Sequence, residues 1–269
     1  MRPPAMKKTT GLVQIVRGLA LVRVLLSGSF TVAMLFPFYG SARRRQAVCR
    51  WSRQLLAALD IELRVRGAPP PPGRPAVLVS NHVSWLDIHL VHAIWQVRFV
   101  AKSEVRRWPL IGWLSARTGT LFIERGRGRH AAHINRAIHA AFSQGDAIGV
   151  FPEGTTSDGS QVQRFHASLL QPAVDEQALV HPVALRYLDS ENRLNVNASY
   201  VGETSLLESM LTILAERKII AELTFLPAIE PVGKTRRHLA EQTRAAIAAA
   251  LESPMAGDQE PALKSAQSA

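Results

Sequence analysis

The chain has 269 residues, 47% of them hydrophobic, which fits one domain of α/β size with a terminal appendage. Its formal net charge of +11 indicates an anionic partner, such as nucleic acid, a membrane surface or a small anionic substrate. The chain has one cysteine, Cys49, which excludes an intrachain disulfide and a thiolate metal cluster. Nucleic acid is disfavoured as the partner, because the sequence has no zinc-finger spacing, RNA-recognition signature or recognition helix.

The first predicted element is a strongly apolar segment, residues 11–39, which Arg17 and Arg23 interrupt. Its charge-free part, residues 24–38, is shorter than the ~20 residues that cross a bilayer comfortably. Basic residues on both sides give no clear inside/outside asymmetry. The favoured interpretation is a helix or helical hairpin pressed into the anionic cytoplasmic leaflet, with arginines at the headgroups. A single span, a cleaved signal peptide and a buried core helix are the alternatives.

Helix and strand patterns alternate through the rest of the chain. Helices are predicted at 47–59, 85–95, 109–117, 130–143, 165–174, 206–215 and 236–251. Strands are predicted at 61–65, 76–80, 98–101, 120–124, 147–151, 179–187 and 219–226. This alternation predicts an α/β fold with a mixed, largely parallel sheet of about seven strands flanked by helices.

These patterns divide the chain into three regions. Residues 1–58 are predicted to be an N-terminal membrane-associating helical region, and residues 59–252 an α/β domain. Thr235 is placed to cap the closing helix of that domain. Residues 253–269, with Pro, Gly, Ser and Gln, are predicted to be a disordered tail.

The most informative segment is 81–87, Asn-His-Val-Ser-Trp-Leu-Asp, directly after a predicted buried strand. If the strand ends near Ser80 and a helix begins near Ser84, the chain folds back enough for Asp87 to reach His82. Such a pair suits a general base and the carboxylate that orients it. The structural alternative is a histidine hydrogen-bonded at a helix start.

Three further segments lie at the ends of predicted strands, where α/β domains gather functional groups. Arg125 follows one strand, Glu153 lies in the turn after another, and Pro182 is near the start of a third. Taken singly, each has a structural interpretation as a surface charge, a turn residue or a strand-start residue. The segments are 119–125, 150–156 and 180–185.

In this order and spacing, the four segments resemble the successive motifs of the glycerolipid acyltransferases, typified by 1-acyl-sn-glycerol-3-phosphate acyltransferase. The resemblance covers roughly residues 76–188. The matching positions are His82 and Asp87, Gly119 and Arg125, Phe151 to Gly154, and Pro182. It implies transfer of a fatty acyl group from an acyl-CoA or acyl-carrier-protein thioester to a lyso-lipid hydroxyl at the membrane, with no cofactor beyond these co-substrates.

The resemblance also implies roles for individual residues. His82 would take the hydroxyl proton as the oxygen attacks the thioester, and Asp87 would fix the imidazole tautomer. Arg125 suits a phosphate or carboxylate because its planar fork binds bidentately. The other substrate-binding candidates are Glu153, Gly154, Thr155 and Lys102, and the supporting candidates are Asn81, Ser84, Gly119 and Pro182. His89 and His92 lack Glu or Cys partners at metal-site spacing, so no catalytic metal is predicted.

Two departures from the common family pattern leave the acceptor open. Thr156 stands where a basic residue is frequent, and Glu124 replaces the usual aspartate before Arg125. The first departure removes a phosphate contact. The resemblance still implies 1-acyl-sn-glycerol-3-phosphate as the leading acceptor, with another lyso-lipid such as lyso-ornithine lipid, which has no phosphate, as the alternative. The expected location is the cytoplasmic face of the inner membrane, with anionic lipids as partners. A soluble acyltransferase for small acceptors and a non-catalytic basic membrane-binding protein are the rival interpretations.

Overall fold

The computed structural model describes residues 8–71, 74–123 and 128–252. Seven strands within these ranges form one sheet, and eight α-helices surround it. The strands are β1 (Ile61–Arg66), β2 (Ala76–Ser80), β3 (Arg98–Lys102), β4 (Leu121–Ile123), β5 (Ile148–Val150), β6 (Leu179–Leu188) and β7 (Ile219–Phe225). The helices are α1 (Gly11–Phe30), α2 (Ser41–Ala58), α3 (Asp87–Ile94), α4 (Ile111–Arg117), α5 (Gly128–Ser143), α6 (Gln171–Asp175), α7 (Leu206–Ala215) and α8 (Arg236–Glu252).

The sheet has the order β1-β7-β6-β2-β5-β3-β4. The β6–β7 pair is antiparallel and the other five pairs of the described sheet are parallel. Strands β2 to β6 therefore all end at the same edge, which we call the carboxyl edge. The predicted α/β fold with a mixed, largely parallel sheet is confirmed.

Hydrophobic clusters cover both faces of the sheet because successive strand residues point to opposite faces. Leu78 of β2 and Leu185 of β6 contribute to the cluster under α2 and α3. Val79 of β2 and Val180 of β6 contribute to the cluster under α5 and α8. A largely parallel sheet buried on both faces explains why β2 is apolar from Ala76 to Val79 rather than alternating.

The N-terminal segment forms a helical hairpin. From α1 the chain continues through a π-helical turn (Thr31–Leu35) and a 3₁₀ turn (Phe36–Phe38) before α2 returns along α1. Gly28 permits the close approach of the two helices, since a Cβ there would overlap the Trp51 ring, whose Nε1 donates to the Val24 carbonyl at 2.8 Å. Gly11–Phe38 is long and apolar enough to cross a bilayer, and a stripe of large apolar side chains along it faces solvent.

Arg17 corrects one expectation for this segment. Its side chain is buried, and its guanidinium donates to Asp60 Oδ2 at 2.5 Å and to the Glu216 carbonyl at 2.6 Å. The arginine therefore attaches α1 to the α/β domain instead of facing lipid headgroups. Arg23, two turns further along α1, is exposed as expected.

Several predicted boundaries shift by a few residues, and one predicted helix divides. The predicted helix 165–174 is a 3₁₀ turn (Ala167–Leu170) followed by α6, because Pro172 has no N–H and fits only the first turn of a helix. The predicted helix 47–59 belongs to a longer one, Ser41–Ala58. Glu124, Arg125 and the predicted tail 253–269 lie outside the described residues.

Candidate active site

His82 and Asp87 form a hydrogen-bonded pair just beyond the carboxyl edge. The Nδ1 atom of His82 lies 2.7 Å from Oδ2 of Asp87. Helix α3 begins at Asp87, two residues later than predicted, and residues 81–86 form the turn that brings the two side chains together. The Asp87 side chain is fully buried, whereas 19% of the His82 side chain is exposed. The paired Nδ1 leaves Nε2 as the ring nitrogen available to another molecule.

The buried Asp87 carboxylate accepts hydrogen bonds from both sides. Its Oδ2 also receives the backbone N–H groups of Val83 (2.7 Å) and Ser84 (3.0 Å). Its Oδ1 receives the hydroxyl of Tyr187 at 2.6 Å. These hydrogen bonds replace the water that the carboxylate loses on burial. Without them, a buried charge would be strongly destabilising. Because a carboxylate can only accept, the contact with Oδ2 places a proton on His82 Nδ1, and in the neutral ring Nε2 then carries the free lone pair.

Tyr187 is the residue that sequence reasoning missed. It lies 105 positions after His82 in the chain, and its place near the end of an apolar strand gave no signal beyond a core aromatic. Strand β6 runs to Leu188, whereas its partner β2 ends at Ser80, which pairs with Val183. The last residues of β6 therefore extend past β2 and flank the 81–87 turn. Burial and the nearby Asp87 carboxylate raise the pKa of Tyr187 well above its usual value, so the hydroxyl stays protonated as a donor.

Asn81 continues the sheet with its side chain. Its Nδ2 donates to the Leu185 carbonyl at 2.8 Å, and its Oδ1 accepts the Leu185 N–H at 2.9 Å. The amide thus replaces one peptide unit of the β2–β6 ladder at the point where β2 ends. Ser84 contributes its backbone N–H to Asp87, as described above. Both residues thus make structural contacts at the turn, Asn81 through its side chain and Ser84 through its backbone.

Aromatic packing holds the imidazole ring from one side. The His82 ring is stacked on Phe151 with a centroid distance of 4.1 Å and an interplanar angle of 9°. Phe151 is in turn stacked on Phe99 at 5.1 Å. With Asp87 fixing one nitrogen and Phe151 fixing the plane, the orientation of the ring is restricted in two directions.

Glu153 lies beneath the same turn. Its Oε1 accepts the backbone N–H of His82 at 3.3 Å, and its Oε2 has no hydrogen-bond partner among the described residues. Burial raises the pKa of Glu153 to about 7, while the His82 N–H opposes the shift and the Asp87 carboxylate adds to it. Glu153 is therefore a carboxyl group that changes its protonation near neutral pH within the site.

In the turn after Glu153, one residue has a backbone conformation that favours glycine and another stabilises a neighbouring loop. Gly154 has φ +70°, a conformation that glycine adopts without strain, and its N–H donates to the Phe151 carbonyl at 3.0 Å. Thr155 is exposed. The Thr156 hydroxyl donates to the Tyr200 carbonyl, so this side chain supports a neighbouring loop.

The remaining predicted site residues fall in different places. Lys102 is exposed at the end of β3, on the carboxyl edge. Gly119 precedes β4 at the opposite edge, where its carbonyl accepts from Arg98 at 2.9 Å, so the structure does not bring it to His82. Pro182 is the fourth residue of β6 rather than its first. It is tolerated there because the paired ladder with β7 begins only at Val183. Arg125 is outside the described residues.

His89 and His92 are packed as neutral side chains. His89 lies edge-on to Trp51 and Trp85, and His92 bonds the Val97 carbonyl through Nε2 at 3.0 Å. Burial lowers the pKa of His89 to about 3 and that of His92 to about 4. Within the described residues, no group of three or more His, Cys, Asp or Glu side chains is arranged to hold a metal ion.

Comparison with known proteins gives concordant similarities. A family model described as Acyltransferase matches residues 62–186. The chain is 37% identical over 208 residues to a lyso-ornithine lipid O-acyltransferase of Pseudomonas aeruginosa, covering 77% of this chain and 79% of that protein. It is 36% identical over 211 residues to a 1-acyl-sn-glycerol-3-phosphate acyltransferase of Neisseria meningitidis, covering 76% and 82% respectively.

Among solved structures, the fold is similar to that of the 1-acyl-sn-glycerophosphate acyltransferase PlsC from Thermotoga maritima. The TM-score is 0.68 at 20% sequence identity, with 90% of this chain and 94% of that chain covered. At this identity the similarity concerns the fold.

Proposed function

The chain belongs to the acyltransferase family, and we propose that it transfers a fatty acyl group from an acyl-CoA or acyl-carrier-protein thioester to the hydroxyl of a membrane lyso-lipid. The observation that carries this proposal is the 2.7 Å contact between His82 Nδ1 and Asp87 Oδ2, with Nε2 left for a substrate proton. The proposed acceptor is 1-acyl-sn-glycerol-3-phosphate, which would give phosphatidic acid.

In the proposed mechanism, His82 Nε2 takes the proton of the acceptor hydroxyl as its oxygen attacks the thioester carbonyl. The ring becomes an imidazolium, which the Asp87 carboxylate stabilises without taking the proton itself. The tetrahedral intermediate then collapses, the thiolate leaves, and the proton on Nε2 is available to it. This direct transfer needs no covalent acyl-enzyme, in agreement with a site built around a base and its orienting carboxylate rather than a nucleophilic side chain.

The acceptor would be held by residues around this pair. Glu153 accepts the His82 N–H, Gly154 follows it in the same turn, and Lys102 adds a positive charge at the same edge of the sheet. Arg125, which follows β4 in the chain, is proposed to bind an anionic headgroup bidentately. Thr155 is proposed as a further polar contact to the acceptor.

Two features that suit a membrane surface support this choice of substrate. The apolar stripe of α1 and the net charge of +11 both suit an anionic lipid surface. We propose attachment to the cytoplasmic face of the inner membrane, where both kinds of thioester donor are accessible. The α1–α2 hairpin fixed to the domain through Arg17 favours attachment along the surface over an independent span.

Lyso-ornithine lipid is the second candidate acceptor, and Thr156 is the observation that favours it. This position often carries a basic residue in the family, and here its hydroxyl bonds the Tyr200 carbonyl. One possible contact to a phosphate is thereby absent. A headgroup without phosphate would lose nothing from this replacement.

The test is an acyl-transfer assay with the full chain in detergent micelles. Each acceptor is offered with acyl-CoA or acyl-carrier protein, and products are identified by mass spectrometry. We expect a diacyl product from one acceptor and a loss of about 10²–10⁴ in rate for His82→Ala. The matched control is His238→Ala, which removes an exposed histidine on α8. Near wild-type turnover by His82→Ala would refute the assigned base, and no thioester consumption with any pair would favour a non-catalytic lipid-binding protein.

A further inference from the structure

The connection between β3 and β4 presents three large apolar side chains to solvent. Trp108 is 40% exposed, Leu110 47% and Trp113 37%. They lie within six residues, immediately before and within the first turn of α4. Clustered exposure of this kind marks an interaction surface more often than chance, whereas single exposed apolar residues do not. We call these three residues the tryptophan patch.

The backbone around the tryptophan patch is closely packed and has one unusual conformation. Gly112 packs against the backbone of Arg106 so closely that a Cβ would overlap its carbonyl, and its N–H donates to the Trp108 carbonyl at 2.9 Å. Leu110 has φ +60°, which is uncommon for a bulky residue and costs conformational energy. The strained backbone holds an apolar side chain outward where burial would ordinarily stabilise it, which indicates that the outward position has a use.

The tryptophan patch adjoins the N-terminal hairpin. Leu114, one turn after Leu110, packs against a small cluster formed by Val32, Phe36 and Val48 at the tip of that hairpin. The same tip exposes further large apolar side chains, Met34 and Phe38. The patch therefore extends the apolar surface of the helix that is long enough to enter a bilayer.

The charges around the tryptophan patch identify its partner. Residues 102–117 contain four basic residues and one acidic residue, Glu104. Arg106, Arg107 and Arg117 are exposed, and Arg106 lies over the Phe122 ring at 5.8 Å. Tryptophan beside arginine is the combination that lies at the boundary between headgroups and acyl chains of an anionic bilayer.

We propose that the tryptophan patch is a second membrane-docking element, which binds the headgroup region of an anionic leaflet beside the α1–α2 hairpin. The segment leaves the sheet at Lys102, on the carboxyl edge that carries His82. Docking at this point holds that edge close to the lipid surface. The binding itself is independent of catalysis, and its consequence for activity rests on the proposed lipid acceptor.

The test is flotation of the full chain, transferred from detergent, with vesicles of phosphatidylglycerol and phosphatidylethanolamine or of phosphatidylcholine alone. The double variant Trp108→Ser/Trp113→Ser is expected to lose about tenfold or more in affinity for the anionic vesicles. The matched control is Val232→Ser, which removes a more exposed apolar residue outside the patch. Circular dichroism and thermal unfolding verify that each variant is folded. Anionic-vesicle affinity of the double variant equal to that of Val232→Ser would overturn the proposal.

A second pair of variants tests the charges. Arg106→Glu/Arg107→Glu is expected to reduce the preference for anionic over neutral vesicles. An unchanged preference for anionic vesicles would overturn the proposal. Vesicle binding that persists while binding of an acidic acyl-carrier protein is lost would also overturn it and would assign the patch to a protein partner. His82→Ala separates the two proposals, since it removes activity but should bind vesicles like the wild type. If the wild type shows no acyl transfer but its vesicle binding still decreases in the double tryptophan variant, only the proposed function is refuted.

Discussion

The Tyr187 hydroxyl and Asp87 are joined by a 2.6 Å hydrogen bond to Oδ1, the carboxylate oxygen that does not face His82. Two oxygens of one carboxylate are thus assigned to different partners, and rotation of the carboxylate would break both contacts. Tyr187 is fully buried and reaches Asp87 from a strand that extends past the end of β2. We regard it as a positioning residue that acts on His82 through Asp87.

Replacing Tyr187 with phenylalanine should therefore weaken catalysis without removing the base. The buried Asp87 Oδ1 would lose its donor, which is expected to lower the free energy of unfolding by about 1–3 kcal/mol. The turnover number should fall while KM for the lyso-lipid stays unchanged, since Tyr187 does not contact the acceptor in our proposal. Steady-state kinetics and chemical denaturation measure the two effects. Tyr39→Phe, outside the site, is the control, and equal turnover in the two variants would contradict the positioning role.

Asp87→Asn should impair activity more strongly than the tyrosine change. A carboxamide keeps the size of the side chain but presents an NH₂ group toward one set of donors, from Val83 and Ser84 or from Tyr187. It also removes the charge that would stabilise the imidazolium, so a decrease of about 10²–10⁴-fold in turnover is expected. Asp175→Asn, at an exposed position at the end of α6, is the matched control. A variant that folds and retains most of its turnover would exclude Asp87 as the orienting group.

Glu153 should make stability depend on pH near neutrality. Its pKa is about 7 in the folded protein against 4.5 ordinarily, because burial disfavours the charged form. A raised pKa contributes stability that is full below pH 4.5 and is lost as the pH rises through 7. The unfolding free energy of the wild type should therefore fall more steeply between pH 4.5 and 7 than that of Glu153→Gln.

The measurement is chemical denaturation at several pH values. His89 and His92 lower stability as the pH falls below 6.5, because their folded pKa values are depressed, but both proteins share this effect and it cancels in the difference. Glu203→Gln, at an exposed loop position, should run parallel to the wild type. If Glu153→Gln did the same, the proposed titration would be wrong.

Arg17 should fix α1 to the α/β domain. In Arg17→Met, the Glu216 carbonyl and Asp60 lose the guanidinium, so the free energy of unfolding should fall by about 1–3 kcal/mol. Arg23→Met removes an exposed arginine from the same helix and should change stability by less than about 0.5 kcal/mol. Protease sensitivity of α1 in detergent provides a second readout. Equal stability of the two variants would mean that the hairpin is not held through Arg17.

Much of this protein could be predicted from local sequence patterns. All seven predicted strands are present, because short apolar runs bounded by turn residues have few other solutions in a chain of this length. The Thr235 cap is also observed, with its hydroxyl accepting the His238 N–H at 3.3 Å. The proximity of His82 and Asp87 could also be predicted, because the two residues are only five positions apart and lie on one turn.

Contacts between distant parts of the chain could not be predicted in this way. Neither Tyr187 nor the burial of Arg17 had a local signal: the first depends on how far β6 extends past β2, and the second on where α1 packs. The 81–87 turn could be predicted because its main contacts are local: Asp87 accepts the N–H groups of Val83 and Ser84, a few residues before it. The second oxygen of Asp87, the plane of the His82 ring and the protonation of Glu153 were decided by tertiary packing, since hydrogen-bond partners and desolvation depend on elements that only folding brings together.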